Sequence, residues 1–159
     1  GVVEKKKLVL RSGAKEGDLI FVTGRLGGSI FGKHLDFKPR IKEARFLSQN
    51  SRVHAMIDIS DGLAQDLGQI LAASNTGAII YEALIPLSKK ARNLKDALYM
   101  GEDFELLFTL SPKEAKKLLK QKGMPFYPIG EIKGKDFALR LEDKEGRQKI
   151  ISTKGFQHF

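Results

Sequence analysis

The spacing of hydrophobic and polar residues changes period in the first half of this chain, where a predicted strand turns into a predicted helix. Apolar residues alternate over residues 53–57, which predicts a strand, and they recur at helical spacing over residues 63–73. Asp58, Ser60 and Asp61 lie between the two elements. Because ligands collect where the strands of such sheets end, this junction is the first candidate for a functional site.

The same periodicities predict the remaining elements and a fold class. Predicted strands cover residues 19–23, 53–57, 78–81, 104–110, 126–133, 137–141 and 148–151, and predicted helices cover residues 40–50, 63–73, 89–98 and 112–122. The last two strands flank a turn and form a hairpin. Strands and helices alternate early and the hairpin comes late, so we predict an α+β fold with a mixed sheet, in a single domain over residues 1–159.

Individual residues refine this prediction. The nearly continuous apolar run at residues 19–23 favours a central strand. Pro128 has no backbone N–H to donate, which predicts that its strand lies at an edge of the sheet. Gly77 is expected to follow the C-cap of the second helix. Ser111, which precedes a proline, predicts the N-cap of the last helix.

Composition narrows the possible functions. The chain has 159 residues, of which 42% are hydrophobic, and it has no cysteine, so it can form a core but no disulfide or thiolate metal site. The net charge of +9 suits either nucleic acid or a phosphorylated small ligand. The lysines are dispersed and not interleaved with aromatic residues, so we expect no nucleic-acid partner. No apolar run reaches membrane length, and we expect a cytoplasmic protein without membrane contact.

The polar residues of the strand–helix junction fit two interpretations. The carboxylates of Asp58 and Asp61 are hard oxygen ligands of the kind that Mg²⁺ takes, and Ser60 with the amides of a helix start could hold a phosphate. The alternative is helix capping, because the same residue types satisfy free N–H groups at a helix N-terminus. Three such residues exceed what one cap requires, and both interpretations stay open at this point.

Other segments carry candidate chemistry. The Gly-Glu-Asp triplet at residues 101–103 precedes a predicted buried strand and forms either part of a site or a solvated turn. Glu105 lies within that strand, either buried in an ion pair or facing outward. The glycine-rich residues 24–32 either cradle a phosphate with backbone amides or make a tight turn. Arg11 lies near a turn, where a forked cation suits phosphate. The three histidines have no metal-ligand spacing, and each is expected to be structural or on the surface.

These motifs occur together, in this order, in one enzyme family. They are Arg-Ser-Gly-Ala-Lys-Glu-Gly-Asp at residues 11–18, Val-Thr-Gly-Arg-Leu-Gly-Gly-Ser at 22–29, Ile-Asp-Ile-Ser-Asp-Gly-Leu-Ala-Gln-Asp-Leu at 57–67, Gly-Glu-Asp-Phe-Glu-Leu-Leu-Phe-Thr at 101–109, Ile-Gly at 129–130 and Lys-Gly-Phe-Gln-His-Phe at 154–159. The chain thereby closely resembles thiamine-monophosphate kinases. These belong to the superfamily of aminoimidazole ribonucleotide synthase, selenophosphate synthetase and the hydrogenase-maturation dehydratase.

The resemblance implies a fold, a reaction and a set of contacts. The C-terminal half of such enzymes is a three-layer α/β/α arrangement, distantly ferredoxin-like. The implied reaction is direct transfer of the γ-phosphoryl group of ATP to thiamine monophosphate, giving thiamine diphosphate. The implied contacts are Asp58 and Asp61 to Mg²⁺, Arg11 and Ser60 to ATP, and Glu102 and Phe156 to thiamine monophosphate, with the aromatic ring against the flat rings of the substrate.

The resemblance also implies that this chain is the C-terminal half of a two-domain kinase. The N-terminal half of such enzymes carries most of the magnesium ligands and dimerises, so its absence predicts that this chain alone is inactive. The segment after Ser29 is short compared with many relatives. Two alternatives remain, namely a sister ATP-dependent enzyme of the same superfamily and a non-catalytic basic binding fragment.

Overall fold

The computed structural model of the protein describes residues 8–29, 38–121 and 123–153. The strands in these ranges are β1 (Leu19–Val22), β2 (Val53–Asp58), β3 (Gly77–Tyr81), β4 (Leu106–Leu110), β5 (Tyr127–Lys133), β6 (Leu139–Glu142) and β7 (Gln148–Ile150). The helices are α1 (Ile41–Asn50), α2 (Leu63–Ser74), α3 (Leu94–Tyr99) and α4 (Pro112–Leu118), with 3₁₀ turns at Glu82–Leu84 and Lys135–Phe137. The described strands form one mixed sheet in the order β2-β4-β1-β5-β3-β6-β7.

Helices cover both faces of this sheet, which gives three layers. Side chains that alternate along β1 point to opposite faces, as strand geometry requires. Ile20 packs in the core under α2 and α3, whereas Phe21 packs with Leu47 of α1 and Leu118 of α4. The rings of Phe21 and Phe108 stack with centroids 5.4 Å apart in this second core. The predicted α+β fold with a mixed sheet is therefore confirmed.

The centre of the sheet differs from the sequence prediction at one strand. β1 is central as predicted, because it pairs with β4 on one side and β5 on the other. The prediction of an edge position for the strand of Pro128 is wrong, since β5 lies between β1 and β3. Pro128 pairs with Phe21 at the point where the register shifts after Ile20. Such an irregularity leaves a residue outside the ladder, so a proline without an N–H is tolerated in a central strand.

The end of α2 lies within the predicted segment. Its C-cap is Asn75, which adopts the left-handed conformation at φ 55°, and Gly77 follows this C-cap by two residues. Gly77 is also the first residue of β3. A Cβ at Gly77 would come within 2.7 Å of the carbonyl oxygens of Gly134 and Ala138, so this glycine permits a close approach of two backbones.

The third and fourth helices are shorter than predicted. α3 starts at Leu94 rather than near residue 89, because the side chain of Asn93 accepts the N–H of Asp96 at 3.3 Å and caps the helix there. α4 ends at Leu118. The predicted N-cap of α4 is confirmed, since Ser111 accepts the N–H of Glu114 at 3.4 Å. Over the three described ranges, no helix is long and apolar enough to cross a membrane.

The directions of the strands bring several loops to the same end of the sheet. β4 runs antiparallel to both β1 and β2, and β5 runs antiparallel to both β1 and β3. The carboxyl ends of β1, β2 and β3 therefore share one end with the amino ends of β4 and β5. The loops at residues 23–29, 59–62 and 101–105 emerge at this end.

Candidate functional site

The junction between β2 and α2 is a loop rather than a helix cap. β2 ends at Asp58, and the N-cap of α2 is Gly62, which has no side chain to accept a capping hydrogen bond. The backbone of Gly62 has φ 112°, a conformation that favours glycine. Ser60 and Asp61 precede this N-cap, so the capping interpretation does not describe them. Neither side chain caps α2, so both are candidates for another role at the end of the strand.

An additional acid, Asp66, holds this loop from inside. Its Oδ2 atom accepts the backbone N–H groups of Ser60 and Asp61, each at 3.0 Å, and the residue is only 2% exposed. Burial raises the pKa of Asp66 to about 6, and the negative charges of Asp61 and Asp58 act in the same direction. Sequence reasoning missed Asp66. Its signal was a carboxylate three residues after Leu63, on the buried face of α2.

The two other acids of the loop are more exposed than Asp66. Asp58 is exposed, and no hydrogen bond or ion pair within the described residues engages its carboxylate. Asp61 is half-buried, and its Oδ2 accepts the side-chain N–H of Gln65 at 2.8 Å. Two carboxylates in one short loop create a negative potential there, and their charges also act to raise the pKa of Asp66. Such a potential attracts a cation.

The donor set of this loop suits magnesium in part. Mg²⁺ is commonly held by one or two protein carboxylates together with phosphate oxygens and water, and Asp58 and Asp61 are of this type. The described ranges contain no group of three or more acidic, histidine or cysteine side chains that could hold a metal ion. Within the described ranges, this loop therefore offers two carboxylates and no larger ligand cluster.

The Gly-Glu-Asp motif joins this loop through the backbone. The N–H of Glu102 donates to the carbonyl of Ser60 at 2.8 Å, and the N–H of Phe104 donates to the carbonyl of Ile59 at 2.8 Å. Ile59 in turn donates its N–H to the carbonyl of Glu105 at 2.8 Å. Glu102 is half-buried at the surface of this junction. Two motifs that are distant in sequence thus form one continuous structure at the end of the sheet.

The backbone of the Gly-Glu-Asp motif is unusual. Glu102 and Phe104 have φ values of 56° and 51°, which non-glycine residues rarely adopt. Gly101 has φ 66°, and a Cβ there would lie 2.5 Å from the carbonyl oxygen of Ser60. Strained backbone of this kind concentrates at functional sites, where the surrounding structure holds it in place.

The second acid of the motif, Asp103, anchors the glycine-rich loop. It is buried at 1% exposure and accepts the N–H of Gly27 on both carboxylate oxygens, at 2.8 and 3.0 Å. It also accepts the hydroxyl of Ser29 at 2.6 Å. The amide of Gly27 is therefore occupied within the protein, which favours the tight-turn interpretation over a phosphate cradle at this residue.

The sequence left open whether Glu105 is buried in an ion pair or faces outward, and the structure shows the buried ion pair. Its carboxylate accepts Nε and Nη2 of Arg40 at 2.6 and 2.7 Å, a forked arrangement, and it accepts the hydroxyl of Thr23 at 2.8 Å. Hydrogen bonding to Glu105 raises the pKa of Arg40 further above its usual value. Sequence reasoning missed the role of Arg40, because its partner Glu105 lies 65 residues further along the chain.

Two predicted site residues are not part of this group. Arg11 is exposed, and the carbonyl of the preceding Leu10 accepts the N–H of Met56, so Arg11 lies beside the middle of β2. Phe156 lies outside the described residues. The structure therefore brings together the loop from Asp58 to Asp61 and Glu102, while no described contact joins Arg11 to them.

His54 has a structural role, in agreement with the prediction. Its Nδ1 lies 2.8 Å from Oδ2 of Asp18, and the same oxygen accepts the N–H of Lys15 at 2.9 Å. Asp18 is buried at 2% exposure. The pair thus ties the turn before β1 to β2, on the flank of the sheet.

We expect Asp66→Asn to make the fold more stable at neutral pH. The pKa of Asp66 is raised to about 6 from a usual value of 3.8, so the folded protein carries the cost of a buried charge above pH 6. Stability contributed by this group is present at low pH and is lost as pH rises through 6. The variant should gain about 1–2 kcal/mol at pH 7.5, and the gain should vanish below about pH 4.

Denaturant unfolding of both proteins at a series of pH values measures this difference. Asp136→Asn, the same change at an exposed acid in a 3₁₀ turn, serves as the control and should show no comparable pH dependence. A difference between wild type and Asp66→Asn that stays constant between pH 4 and 7.5 would contradict the assignment.

Comparison with known families places the chain in a defined group. A sequence profile described as AIR synthase related protein, C-terminal domain, matches residues 9–142. Thiamine-monophosphate kinase of Rhodopirellula baltica is 43% identical over 136 residues, which are 79% of this chain and 43% of that protein. The corresponding enzyme of Buchnera aphidicola subsp. Schizaphis graminum is 39% identical over 191 aligned positions, which cover all of this chain and 58% of that enzyme.

Solved structures agree with these relatives. The structure described as AaThiL complexed with AMPPCP and TMP superposes with a TM-score of 0.78 and 26% identity, over 95% of this chain and 54% of that one. The resemblance of the motifs to thiamine-monophosphate kinases is thereby confirmed. The chain spans about half the length of these proteins. The 191 aligned positions exceed the 159 residues of this chain, in keeping with segments that the relative has and this chain lacks.

Proposed function

The chain belongs to the family of AIR synthase related proteins, C-terminal domain, and from this premise we propose that it is the C-terminal half of a thiamine-monophosphate kinase. The complete enzyme transfers the γ-phosphoryl group of ATP to thiamine monophosphate. The similarity to thiamine-monophosphate kinases over the whole chain supports this. The observation that carries it is the backbone junction of Glu102 with Ser60, at 2.8 Å, which joins two distant motifs at one sheet end.

In this proposal, Asp58 and Asp61 share the binding of Mg²⁺. The exposure of Asp58 and the negative potential around Asp66 support a cation at the loop. Bound Mg²⁺ supplies charge neutralisation for the phosphate oxygens. The residues of this chain orient that ion, and Asp66 keeps the amides of Ser60 and Asp61 turned inward, so that the loop keeps one shape.

The remaining assignments concern the two substrates. Ser60 and Arg11 contact ATP, Ser60 from the loop and Arg11 from its exposed position beside β2. Glu102 and Phe156 hold thiamine monophosphate. The thiazolium ring of thiamine is positively charged and flat, so a carboxylate and an aromatic ring complement it.

The reaction in this proposal is a direct in-line transfer without a covalent enzyme intermediate. The protein then contributes positioning and charge neutralisation. The loop offers two carboxylates, so in this proposal the chain's own N-terminal domain supplies the remaining metal ligands. The complete enzyme is a homodimer. The isolated C-terminal half should therefore be inactive.

A coupled assay of the full-length protein tests this function. With thiamine monophosphate, ATP and Mg²⁺ present, we expect ADP release that depends on thiamine monophosphate, together with formation of thiamine diphosphate. The isolated chain of residues 1–159 should give ADP release at the background rate. Full-length protein without substrate-dependent ADP release would refute the kinase assignment, whereas full activity of the isolated chain would refute the two-half arrangement.

A further inference from the structure

The segment from Glu102 to Glu105 alternates between outward and buried side chains. Glu102 and Phe104 are half-buried at the surface, while Asp103 and Glu105 are each only 1% exposed. Both buried members are acids, which is costly unless each is fully hydrogen-bonded. Both carboxylates meet this condition, since each accepts several hydrogen bonds from the protein.

Asp103 binds the glycine-rich loop at a residue that has further contacts of its own. Both of its oxygens accept the N–H of Gly27, at 2.8 and 3.0 Å. The carbonyl of Gly27 accepts the hydroxyl of Ser88. A Cβ at Gly27 would lie 2.8 Å from the amide nitrogen of Ala97, so the loop is packed closely against α3. The carboxylate thus attaches the Gly-Glu-Asp motif to a hydrogen-bonded and closely packed part of the glycine-rich loop.

This attachment acts on the two residues that flank Asp103. Glu102 at φ 56° and Phe104 at φ 51° both occupy the left-handed region, and such residues persist only where their surroundings determine the backbone. On one side, their N–H groups donate to the carbonyls of Ser60 and Ile59 at 2.8 Å. On the other side, the side chain of Asp103 supplies the opposing restraint.

We propose that Asp103 is a positioning residue, which sets the orientation of Glu102 by anchoring the motif to Gly27 and Ser29. The inference rests on the proposed function, in which Glu102 contacts thiamine monophosphate. Asp103 itself is buried and does not touch the substrate. Its loss displaces Glu102 without removing the Glu102 carboxylate, so the effect falls on binding of thiamine monophosphate more than on binding of ATP.

Steady-state kinetics of full-length Asp103→Asn test this. An asparagine presents one acceptor oxygen and an NH₂ group, so it cannot accept the N–H of Gly27 on both sides. We expect the KM for thiamine monophosphate to rise at least about 10-fold, because small displacements of positioning groups have effects of this size. The KM for ATP should change by less than about 2-fold. A purely structural role would lower the active fraction, and with it kcat, while leaving both KM values unchanged.

Ser29→Ala is the milder variant, for the case in which Asp103→Asn does not fold. It removes the 2.6 Å hydrogen bond to Asp103 and leaves the carboxylate and Gly27 in place. We expect a rise of about 2- to 5-fold in the KM for thiamine monophosphate alone. Asp136→Asn, at an exposed acid away from this loop, should leave all constants unchanged.

The outcomes separate the two levels of inference. Wild-type enzyme without activity on thiamine monophosphate would overturn the proposed function and this assignment with it. Active wild type with an unchanged KM for thiamine monophosphate in every variant that folds, including Ser29→Ala alone, would overturn the positioning role. A selective rise of that KM in either variant, with the Asp136→Asn control unchanged, is the expected result.

Discussion

Replacing Asp58 or Asp61 with asparagine in the full-length enzyme is expected to lower kcat about 100- to 1,000-fold and to leave the fold almost unchanged. Each change removes a negative charge from the proposed magnesium site, and such metal contacts are worth several kcal/mol of transition-state stabilisation. The described contacts predict little structural loss. Asp58 is exposed, and Asn at position 61 retains an oxygen for the 2.8 Å hydrogen bond from Gln65.

Three measurements check this expectation. Turnover at saturating ATP and thiamine monophosphate should fall in both variants, the Mg²⁺ concentration for half-maximal rate should rise, and the midpoint of thermal unfolding should stay within a few degrees of wild type. Asp136→Asn makes the same chemical change at an exposed acid of a 3₁₀ turn and should behave as wild type. Preserved turnover with a large loss of thermal stability would show that these acids serve the loop rather than the metal.

Replacing Arg40 with methionine is expected to destabilise the fold by about 3 kcal/mol. The guanidinium of Arg40 donates to both oxygens of Glu105, at 2.6 and 2.7 Å, and Glu105 is 1% exposed. Without this partner, the carboxylate of Glu105 stays buried and loses two charged hydrogen bonds, while the hydroxyl of Thr23 still donates to it. Removing one member of a buried pair is costly because the other charge loses its partner. The unfolding midpoint should fall by about 6–12 °C.

A second variant identifies the physical cause of that loss. Arg40→Met combined with Glu105→Gln removes both charges, so it should recover a substantial part of the stability lost in the single variant. Arg147→Met provides the matched control, because Arg147 is 75% exposed in its ion pair with Asp143 and should cost at most about 1 kcal/mol. Equal losses for Arg40→Met and Arg147→Met, or no recovery in the double variant, would contradict the account.

Elements that depend on local chemistry were predicted well from the sequence. β1 is central, β6 and β7 form a hairpin, and Ser111 caps α4, because each follows from side chains that are adjacent along the chain. Local rules failed where a distant partner decides. Pro128 lies in a central strand because the register of β1 shifts opposite it, and nothing near Pro128 in sequence indicates that shift.

In the candidate site, too, neighbouring residues were informative and distant partners were not. The change of period at residues 53–63 marked Asp58, Ser60 and Asp61 as polar residues at the end of a strand, and the acid at Glu102 stood before another. The sequence could not show that these motifs meet. Their contact runs through the backbone carbonyls of Ile59 and Ser60, which carry no sequence signal.

By itself, the sequence determined the periodic elements, the mixed α+β class and the residue types that can hold a cation. Only the tertiary structure decided which acids face outward. It buries Asp66 under the loop, ties Asp103 to Gly27 and pairs Glu105 with Arg40, while Asp58 stays exposed. The physical reason is that the environment of a carboxylate is set by groups far away in the chain. A carboxylate that is desolvated and hydrogen-bonded holds a loop in place, whereas a carboxylate that is exposed to solvent can bind a cation.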